Sequence, residues 1–242
     1  MSVKNILIKL AGIFGYEIYR YPGQYHKRKL RLFNHFNINC ILDVGANEGQ
    51  FAEKHLKYGY NGRVISFEPI KAVYDKLEKK VITYKNWECK NYALGNTDGS
   101  TNINISENTE SSSLLEINDI HVEAAPKAKF VTTETIKIHQ LDTVFDDLIH
   151  NNENVFLKLD AQGFEMNILK GASQSLHKII GLQIELSLVE MYKNEVLFEE
   201  MIAFLKDKGF ALYGVEPGFI NVKTGRLLQI DGIFFREKIN IN

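Results

Sequence analysis

Two glycines and two carboxylates, spread over the first third of the sequence, are the residues best suited to hold a small ligand. The stretch ILDVGANEGQ begins like a buried strand, carries Asp43 near the strand end, and continues with Gly45 and Gly49. A glycine turn lets the backbone approach a ligand closely and adopt positive φ. Glu68 ends the next apolar segment, VISFEP, where a carboxylate can accept both hydroxyl groups of a ribose. The pattern predicts a site for a cofactor that contains a nucleoside.

The spacing of the turn separates two classes of cofactor. Dinucleotide-binding proteins have G-x-G-x-x-G, in which the second glycine lets the chain approach a pyrophosphate. This chain has Asn47 at that position. We expect a helix to begin near Asn47, with its free amides and positive dipole end directed at a carboxylate. A ribose acceptor without a fit to pyrophosphate indicates S-adenosylmethionine, and an NAD-dependent oxidoreductase on the same kind of sheet is the alternative.

These residues need a sheet whose strands end at one edge. Short apolar segments, each followed by a helix-like segment, are typical of parallel strands buried on both faces. They are Cys40–Val44, Arg63–Phe67, Val155–Leu159 and residues 182–186. A helix over 196–208 and two closing strands, GFALYGV and DGIFFRE, follow, with a loop or hairpin over 216–228 between those strands. The sequence predicts an α/β fold with a doubly wound, mostly parallel sheet and helices on both faces.

Two segments lie outside this alternation of strands and helices. Residues 1–38 form a predicted helical extension, and residues 39–242 form the main domain. Apolar residues of the extension recur at helical spacing, namely Ile6, Leu7, Leu10, Ile13 and Phe14. Such an amphipathic helix caps the main domain, lies on a membrane surface or makes a dimer contact. Residues 95–140 are polar and then β-like, which predicts an insertion with antiparallel strands and a flexible lid or binding loop.

Composition excludes several other classes of protein. The 242 residues are 45% hydrophobic and 24% charged, as in an ordinary folded domain. With 29 basic and 30 acidic residues there is no large positive field for nucleic acid. The two cysteines, Cys40 and Cys89, form no CxxC pair, so we predict no zinc site and a reducing, cytoplasmic setting. No apolar run approaches the roughly 20 residues of a transmembrane helix. The composition is compatible with a monomer or a homo-oligomer.

The basic stretch HKRKLR at residues 26–31 raises the question of RNA binding. The neutral overall charge opposes an RNA methyltransferase, and the helical spacing of the stretch favours a solvated helix face. A patch that binds a phosphorylated or nucleotide-linked sugar is the functional alternative.

Several motifs, in this order, resemble the FkbM family of S-adenosylmethionine-dependent methyltransferases. They are ILDVGANEGQF, VISFEP, NYALGN, SSSLL and LKLDAQGFEMNILKGA. The resemblance covers residues 41–235. It implies a seven-stranded, Rossmann-like methyltransferase sheet and the cofactor S-adenosyl-L-methionine. It also implies O-methylation, often of a sugar hydroxyl on a nucleotide sugar, a glycan or a glycosylated natural product.

The resemblance also implies which residues hold the cofactor. The first turn supplies Asp43, Gly45, Ala46, Asn47 and Gly49. Glu68 and the adjoining Pro69 hold the ribose, and the turn from Asn91 to Ala93 lies along the adenine. Asp43 either fixes the glycine loop and helps to hold the methionine ammonium group, or only caps the turn.

Methyl transfer to an alcohol requires an aligned oxygen and a group that removes its proton. Asp160, which ends the strand LKLD, is the preferred base. Glu185 lies within the apolar strand LQIELS, where a carboxylate is costly unless it is used or paired, for example with Lys158. His139 is either a base with a near-neutral pKa or a structural residue at a strand end.

Further polar residues bear on the acceptor. Gln162 stands where the family's D-V-E-G-x-E pattern usually has glutamate, which removes one candidate base and motivates a non-catalytic, cofactor-binding scaffold as an alternative. Ser112 and Ser113 of the insertion either bind substrate or cofactor or are solvated. Glu165 either contacts substrate or suits a helix N-terminus. Magnesium could bind Asp160, Glu165 and Glu185, but no spacing is diagnostic and we predict no metal site.

Overall fold

The computed structural model describes residues 3–16 and 23–237 of the chain. The predicted extension and main domain also include residues 1–2, 17–22 and 238–242, which lie outside the described residues. The described helices are α1 (Val3–Ile13), α2 (Gln24–His35), α3 (Gln50–Lys57), α4 (Lys71–Val81), α5 (Asp119–Ala124), α6 (Leu141–Leu148), α7 (Glu165–Lys170) and α8 (Phe198–Asp207). The strands are β1 (Cys40–Val44), β2 (Arg63–Phe67), β3 (Trp87–Lys90), β4 (Ala93–Gly95), β5 (Gly99–Ser106), β6 (Phe130–Gln140), β7 (Val155–Leu159), β8 (Ile179–Ser187), β9 (Phe210–Pro217) and β10 (Gln229–Arg236).

Seven strands form the main sheet in the order β3-β2-β1-β7-β8-β10-β9. The first five are parallel, and β10 lies antiparallel between β8 and β9. The predicted seven-stranded, mostly parallel sheet is thereby confirmed. β8 is longer than the predicted 182–186 segment, and the hairpin predicted over 216–228 joins β9 to β10.

Helices cover both faces of the sheet, as predicted for a doubly wound fold. Side chains of α6, α7 and α8 pack on one face, with Leu42 of β1 and Leu157 of β7 in the same cluster. Side chains of α2, α3 and α4 pack on the other face, with Ile41 and Phe156. Because side chains alternate along a strand, Asp43 lies on the same face as Ile41, beneath α2 and α3.

The insertion forms a second sheet in the order β4-β6-β5, with β5 antiparallel to β6. It packs against the start of α4, where Ile70 and Val73 meet Ile103 and Ile138. The predicted antiparallel strands are present. The short helix α5 was not predicted, because its six residues are too few to show a helical period.

The two N-terminal helices differ in what they contact. Contrary to the expectation of a cap on the main domain, α1 leaves its apolar side chains exposed, from Ile6 at 45% to Ile13 at 76%. The HKRKLR stretch lies in α2, and the expected solvated face is wrong for part of it, because His26 and Lys29 are buried. Lys29 Nζ lies 3.1 Å from the Glu216 carboxylate at the end of β9. None of the described helices is long and apolar enough to cross a membrane.

Candidate active site

A cavity of about 450 Å³ opens at the carboxyl ends of the parallel strands. β1 has β2 on one side and β7 on the other, so the chain crosses over from one half of the sheet to the other at β1. Small ligands bind at this position in open α/β sheets, in cavities of roughly 300 to 1,000 Å³. The wall contains residues of the glycine turn, of the β2 end, of the insertion and of the segment after β7.

Gly45 is required where the first turn meets the segment after β7. Its φ is 70°, and a Cβ atom there would lie 1.8 Å from the backbone oxygen of Asp160. α3 begins at Gln50 rather than near Asn47, because Asn47 (φ 48°) and Gly49 (φ 81°) adopt left-handed conformations before the helix. The cavity wall therefore contains a turn, Gly45 to Asn47, as well as Gln50 and Phe51 at the start of α3.

Glu68 lies where a ribose acceptor was predicted, at the end of β2 and in the cavity wall. Its Oε2 accepts a hydrogen bond from Asn47 N at 3.0 Å, and its Oε1 accepts one from Ile70 N at 2.9 Å. Each carboxylate oxygen keeps a further lone pair for a ligand. Burial raises the pKa of Glu68 to about 7, although the two amides oppose the shift.

Asp43 does not line the cavity, in contrast to the expected contact with the methionine ammonium group. It is fully buried, accepts a hydrogen bond from Ser66 Oγ at 3.0 Å, and lies 3.3 Å from Lys158 Nζ. Lys158 also donates to Gly45 O at 3.0 Å. Asp43 is therefore connected to the glycine turn through Lys158, and the loop-fixing role of Asp43 stays a prediction.

Lys158 pairs with acids other than the expected Glu185. Besides Asp43, its Nζ lies 3.4 Å from Asp160 Oδ2. Burial alone would lower the pKa of Lys158, but the neighbouring Asp160 and Asp43 carboxylates outweigh it and hold the pKa above its ordinary value. The lysine is thus a fixed positive charge beneath the turn.

Gln162 joins the two carboxylates expected to act in methyl transfer. Its Nε2 donates to Asp160 Oδ1 at 2.9 Å and to Glu185 Oε2 at 3.1 Å. The φ of Gln162 is 54°, a conformation that non-glycine residues seldom adopt. The hydroxyl of the fully buried Tyr192 contacts Gln162 Oε1 at 2.7 Å, which fixes the orientation of the amide.

Glu185 has no cation in direct contact among the described residues, and its surroundings disfavour its charged form. Burial, followed by the charges of Asp160, Glu165 and Asp231, raises its pKa well above the ordinary value. Glu165 is buried as well, and its Oε1 accepts a hydrogen bond from Ala161 N at 2.7 Å at the start of α7. Glu165 does not line the cavity, so the helix N-terminus accounts for it better than substrate binding does.

The insertion contributes to the cavity wall through both predicted serines. Ser113 Oγ donates to Gln162 O at 2.7 Å and thereby anchors the loop to the segment after β7. Ser112 Oγ accepts a hydrogen bond from Ser106 N at 3.1 Å. The predicted binding loop therefore meets the predicted catalytic segment directly.

Besides Asp43 and Glu165, three further predicted residues lie outside the cavity wall. His139 belongs to the second sheet, where its Nδ1 lies 3.3 Å from Asp98 Oδ1. Asn91 donates from Nδ2 to Glu68 O and Pro69 O, both at 3.0 Å, and so fixes the segment that follows β2, while Ala93 lines the cavity. Gly49 packs under the Trp87 ring, which a Cβ atom would approach to 2.6 Å.

The cavity residues that were not predicted include two polar residues of the main sheet, Gln183 of β8 and Asp231 of β10. Each is a polar residue within an apolar strand, and Gln183 lies two residues before Glu185 and thus on the same face. That period-two pattern was the available signal. Among the described residues, no group of three or more His, Cys, Asp or Glu side chains could hold a metal ion.

Several solved structures of methyltransferases are similar to this chain. A candidate methyltransferase from Thermobifida fusca YX has 11% identity and a TM-score of 0.50, with 88% of this chain and 79% of that chain covered. A candidate S-adenosylmethionine-dependent methyltransferase from Listeria monocytogenes has 9% identity and a TM-score of 0.48, with 88% and 98% covered. A candidate rRNA methylase from Clostridium thermocellum has 12% identity and a TM-score of 0.48, with 92% and 99% covered. No curated protein matches the chain.

The methyltransferase FkbM domain model matches residues 43–212, which is most of the chain. The match includes the glycine turn, Glu68, the insertion and the segment after β7. The match favours a methyltransferase over the two alternatives, an NAD-dependent oxidoreductase and a non-catalytic scaffold. The chain belongs to the FkbM methyltransferase family and is an S-adenosylmethionine-dependent methyltransferase.

Proposed function

We propose that this methyltransferase acts on a hydroxyl group of a sugar, carried on a nucleotide sugar, a glycan or a glycosylated natural product. The observation that supports the proposal best is the pair of carboxylates, Asp160 and Glu185, that Gln162 joins in the cavity wall. An alcohol must lose its proton as its oxygen is alkylated, so a hydroxyl acceptor requires a base at this place.

The residues present fit the cofactor. Gly45 and Asn47 line the cavity on the side where the amino-acid end would lie, and Glu68 keeps free lone pairs for the two ribose hydroxyls. Apolar residues of the cavity wall, including Ile70, Ala93 and Leu94, offer a surface for the adenine ring. When bound, the cofactor supplies an electrophilic methyl group that moves to the acceptor oxygen and leaves S-adenosylhomocysteine.

The chain's own residues orient the acceptor and take its proton. The Asp160 side chain is 39% exposed and so is accessible to an acceptor, while Lys158 and Gln162 fix its position. The hydroxyl proton passes to the pair formed by Asp160 and Glu185. Tyr192 and Ser113 donate hydrogen bonds to Gln162 and fix its position. Because Gln162 contacts both carboxylates, this also fixes the distance between them.

Mass spectrometry tests this function. The purified protein is incubated with S-adenosylmethionine and panels of nucleotide sugars and oligosaccharides, with and without a chelator. We expect a methylated sugar, released S-adenosylhomocysteine and no effect of the chelator. Methylation confined to nitrogen, carbon or a non-sugar acceptor would contradict the proposal.

Asp160→Asn isolates the base. The substitution keeps the side-chain volume, so S-adenosylhomocysteine affinity should change little, whereas turnover should fall on the order of 100-fold or more. Asp147→Asn, an exposed acid on α6, is the matched control. Full turnover in Asp160→Asn would refute the assignment of Asp160.

A further inference from the structure

The acceptor side of the cavity carries more negative than positive charge. Asp160, Glu185 and Asp231 all line it, and Lys158 is the cation in that part of the wall. Glu185 and Asp231 face each other directly across the antiparallel pair of β8 and β10. Two carboxylates directly opposite on neighbouring strands repel each other when both are ionised, and burial together with the neighbouring carboxylates raises the pKa of Glu185. The arrangement therefore has a cost in folding that a bound cation would relieve.

The nearby lysines are already engaged. Lys158 is shared between the fully buried Asp43 and Asp160, at 3.3 Å and 3.4 Å. Burial and the Asp160 charge raise the pKa of Asp231; the charge of Lys29 in α2 opposes the shift, but the Lys29 Nζ itself contacts Glu216 at 3.1 Å. Among the described residues no ion pair reaches Glu185 or Asp231, and both side chains are half-buried. The pair lacks a direct counter-charge from the chain.

A separate observation concerns Gln183, which lies on the same face of β8 as Glu185. Gln183 is only 5% exposed and lines the cavity, yet its Oε1 has no hydrogen-bond partner. Although burial raises the pKa of Asp231, the nearby Gln183 amide opposes the shift as a donor, so the amide nitrogen faces Asp231 and Oε1 is left over. A buried acceptor without a donor is costly. It indicates a ligand that donates hydrogen bonds.

We propose that Glu185, Asp231 and Gln183 Oε1 form a subsite for an ammonium group, and that the acceptor is therefore an amino sugar with a free amine. An ammonium group has three donors and no acceptor, which matches two carboxylates and one amide oxygen. This inference rests on the proposed O-methylation of a sugar.

Other ligand classes fit the subsite less well. A phosphate would meet Glu185 and Asp231 without a free cation to offset them. A divalent metal would need oxygen ligands around it, but the Gln162 amide nitrogen already lies between Asp160 and Glu185. The carboxylates would also keep the amine protonated. Because a protonated amine has no lone pair, the methyl group would be directed to the neighbouring hydroxyl.

Binding to matched sugars tests the subsite in the full chain. Glucosamine, galactosamine and mannosamine are titrated into protein saturated with S-adenosylhomocysteine, beside their N-acetyl forms, which lack the charge. We expect at least one free amine to bind about tenfold or more tightly than its N-acetyl form, the scale for a buried charge pair. Equal or tighter binding of every N-acetyl form would overturn the inference.

The variant Asp231→Asn locates the effect. It should abolish most of the preference for the amine while leaving S-adenosylhomocysteine affinity unchanged, and Asp147→Asn should leave the preference intact. A preference that survives in a folded Asp231→Asn protein would place the amine elsewhere. If that variant fails to fold, Gln183→Leu serves instead, with the same expected loss.

The two proposals can fail separately. Methylation of a neutral sugar without any preference for amines would refute the ammonium subsite alone. Amine binding with methylation only on nitrogen would refute the O-methylation proposal and retain the subsite.

Discussion

Buried carboxylates are the residues of this site whose state depends most on pH. Glu68 and Glu165 both have a pKa raised to about 7, and burial is the main cause in each. Between the ordinary value of 4.5 and about 7, the folded protein keeps a proton that the unfolded chain releases. Each group therefore lowers the free energy of unfolding as the pH rises through that window.

Glu165→Gln should remove this effect for one group. The amide oxygen can still accept from Ala161 N, and no charge has to be buried. At pH 8 the variant should be more stable than the parent protein by about 2 to 3 kcal/mol, while at pH 4.5 the two should be equal. Urea unfolding at both pH values measures the difference. Exposed Glu200→Gln is the control, and a gain at pH 4.5 as large as that at pH 8 would contradict the explanation.

At the residue scale, the sequence predicted the residues that a strand end or a turn marks. Gly45, Glu68 and Asp160 line the cavity where local pattern put them. The prediction that Lys158 pairs with Glu185 was wrong, because the partners of Lys158 depend on how the strands align in the sheet. Asp43 lies opposite Lys158 across β1 and β7, strands far apart in the sequence. Asp231 was missed for the same reason, since only the pairing of β10 with β8 brings it to Glu185.

At the element scale, the edge of the sheet opposite the cavity is held by one arginine. Arg63, at the start of β2, donates to the Glu153 carboxylate through Nε at 2.9 Å and Nη2 at 2.7 Å. Its Nη1 donates to Glu88 of β3 at 2.7 Å, and its Nη2 also donates to Leu148 O at the end of α6. The guanidinium group thus joins β2, β3 and the α6–β7 connection.

Arg63→Ala should lower the free energy of unfolding by about 2 to 3 kcal/mol, because it leaves Glu153 and a backbone carbonyl without their donor. Lys76→Ala, which breaks an exposed pair with Glu48, should cost no more than about 0.5 kcal/mol. Urea unfolding compares the two variants. S-adenosylhomocysteine affinity should be unchanged in both, and a loss of affinity in Arg63→Ala at a temperature where it is folded would count against this division of roles.

Elements with a strong period were predicted and short ones were not. The four parallel strands and the helices that follow them have apolar patterns long enough to recognise. β3 has only four residues, three of them partly exposed, and α5 has six. The start of α3 was placed too early, because left-handed Asn47 and Gly49 extend the turn beyond what the motif indicates.

At the scale of the whole molecule, the hydrophobic core of the main domain includes α2. Phe33 of α2 is 1% exposed and packs in the cluster beneath the sheet, and Lys29 pairs with Glu216. The apolar side chains of α1 are exposed. The extension predicted as residues 1–38 therefore contains one helix that belongs to the core and one that does not.

Deletion of residues 1–22 should change the free energy of unfolding by no more than about 0.5 kcal/mol, as for surface changes elsewhere. Deletion of residues 1–36 should cost about 3 kcal/mol or more, because it removes the Phe33 side chain from the core and leaves Glu216 without Lys29. Thermal and urea unfolding of the two truncated proteins give the comparison. Similar losses in both would show that α1 also contributes to the core.

The order of strands in the main sheet also governs how the chain can be made. One edge of β1 stays unpaired until β7 has been synthesised, since Cys40 pairs with Val155. Likewise, β9 has no partner in the sheet until β10 pairs with it. A chain synthesised at about 5 to 20 residues per second therefore exposes unpaired strand edges for seconds before its centre can close. During that interval Asp43 lacks its ion pair with Lys158 of β7. The main sheet is completed only after β10 (Gln229–Arg236) has been synthesised, because β10 lies between β8 and β9.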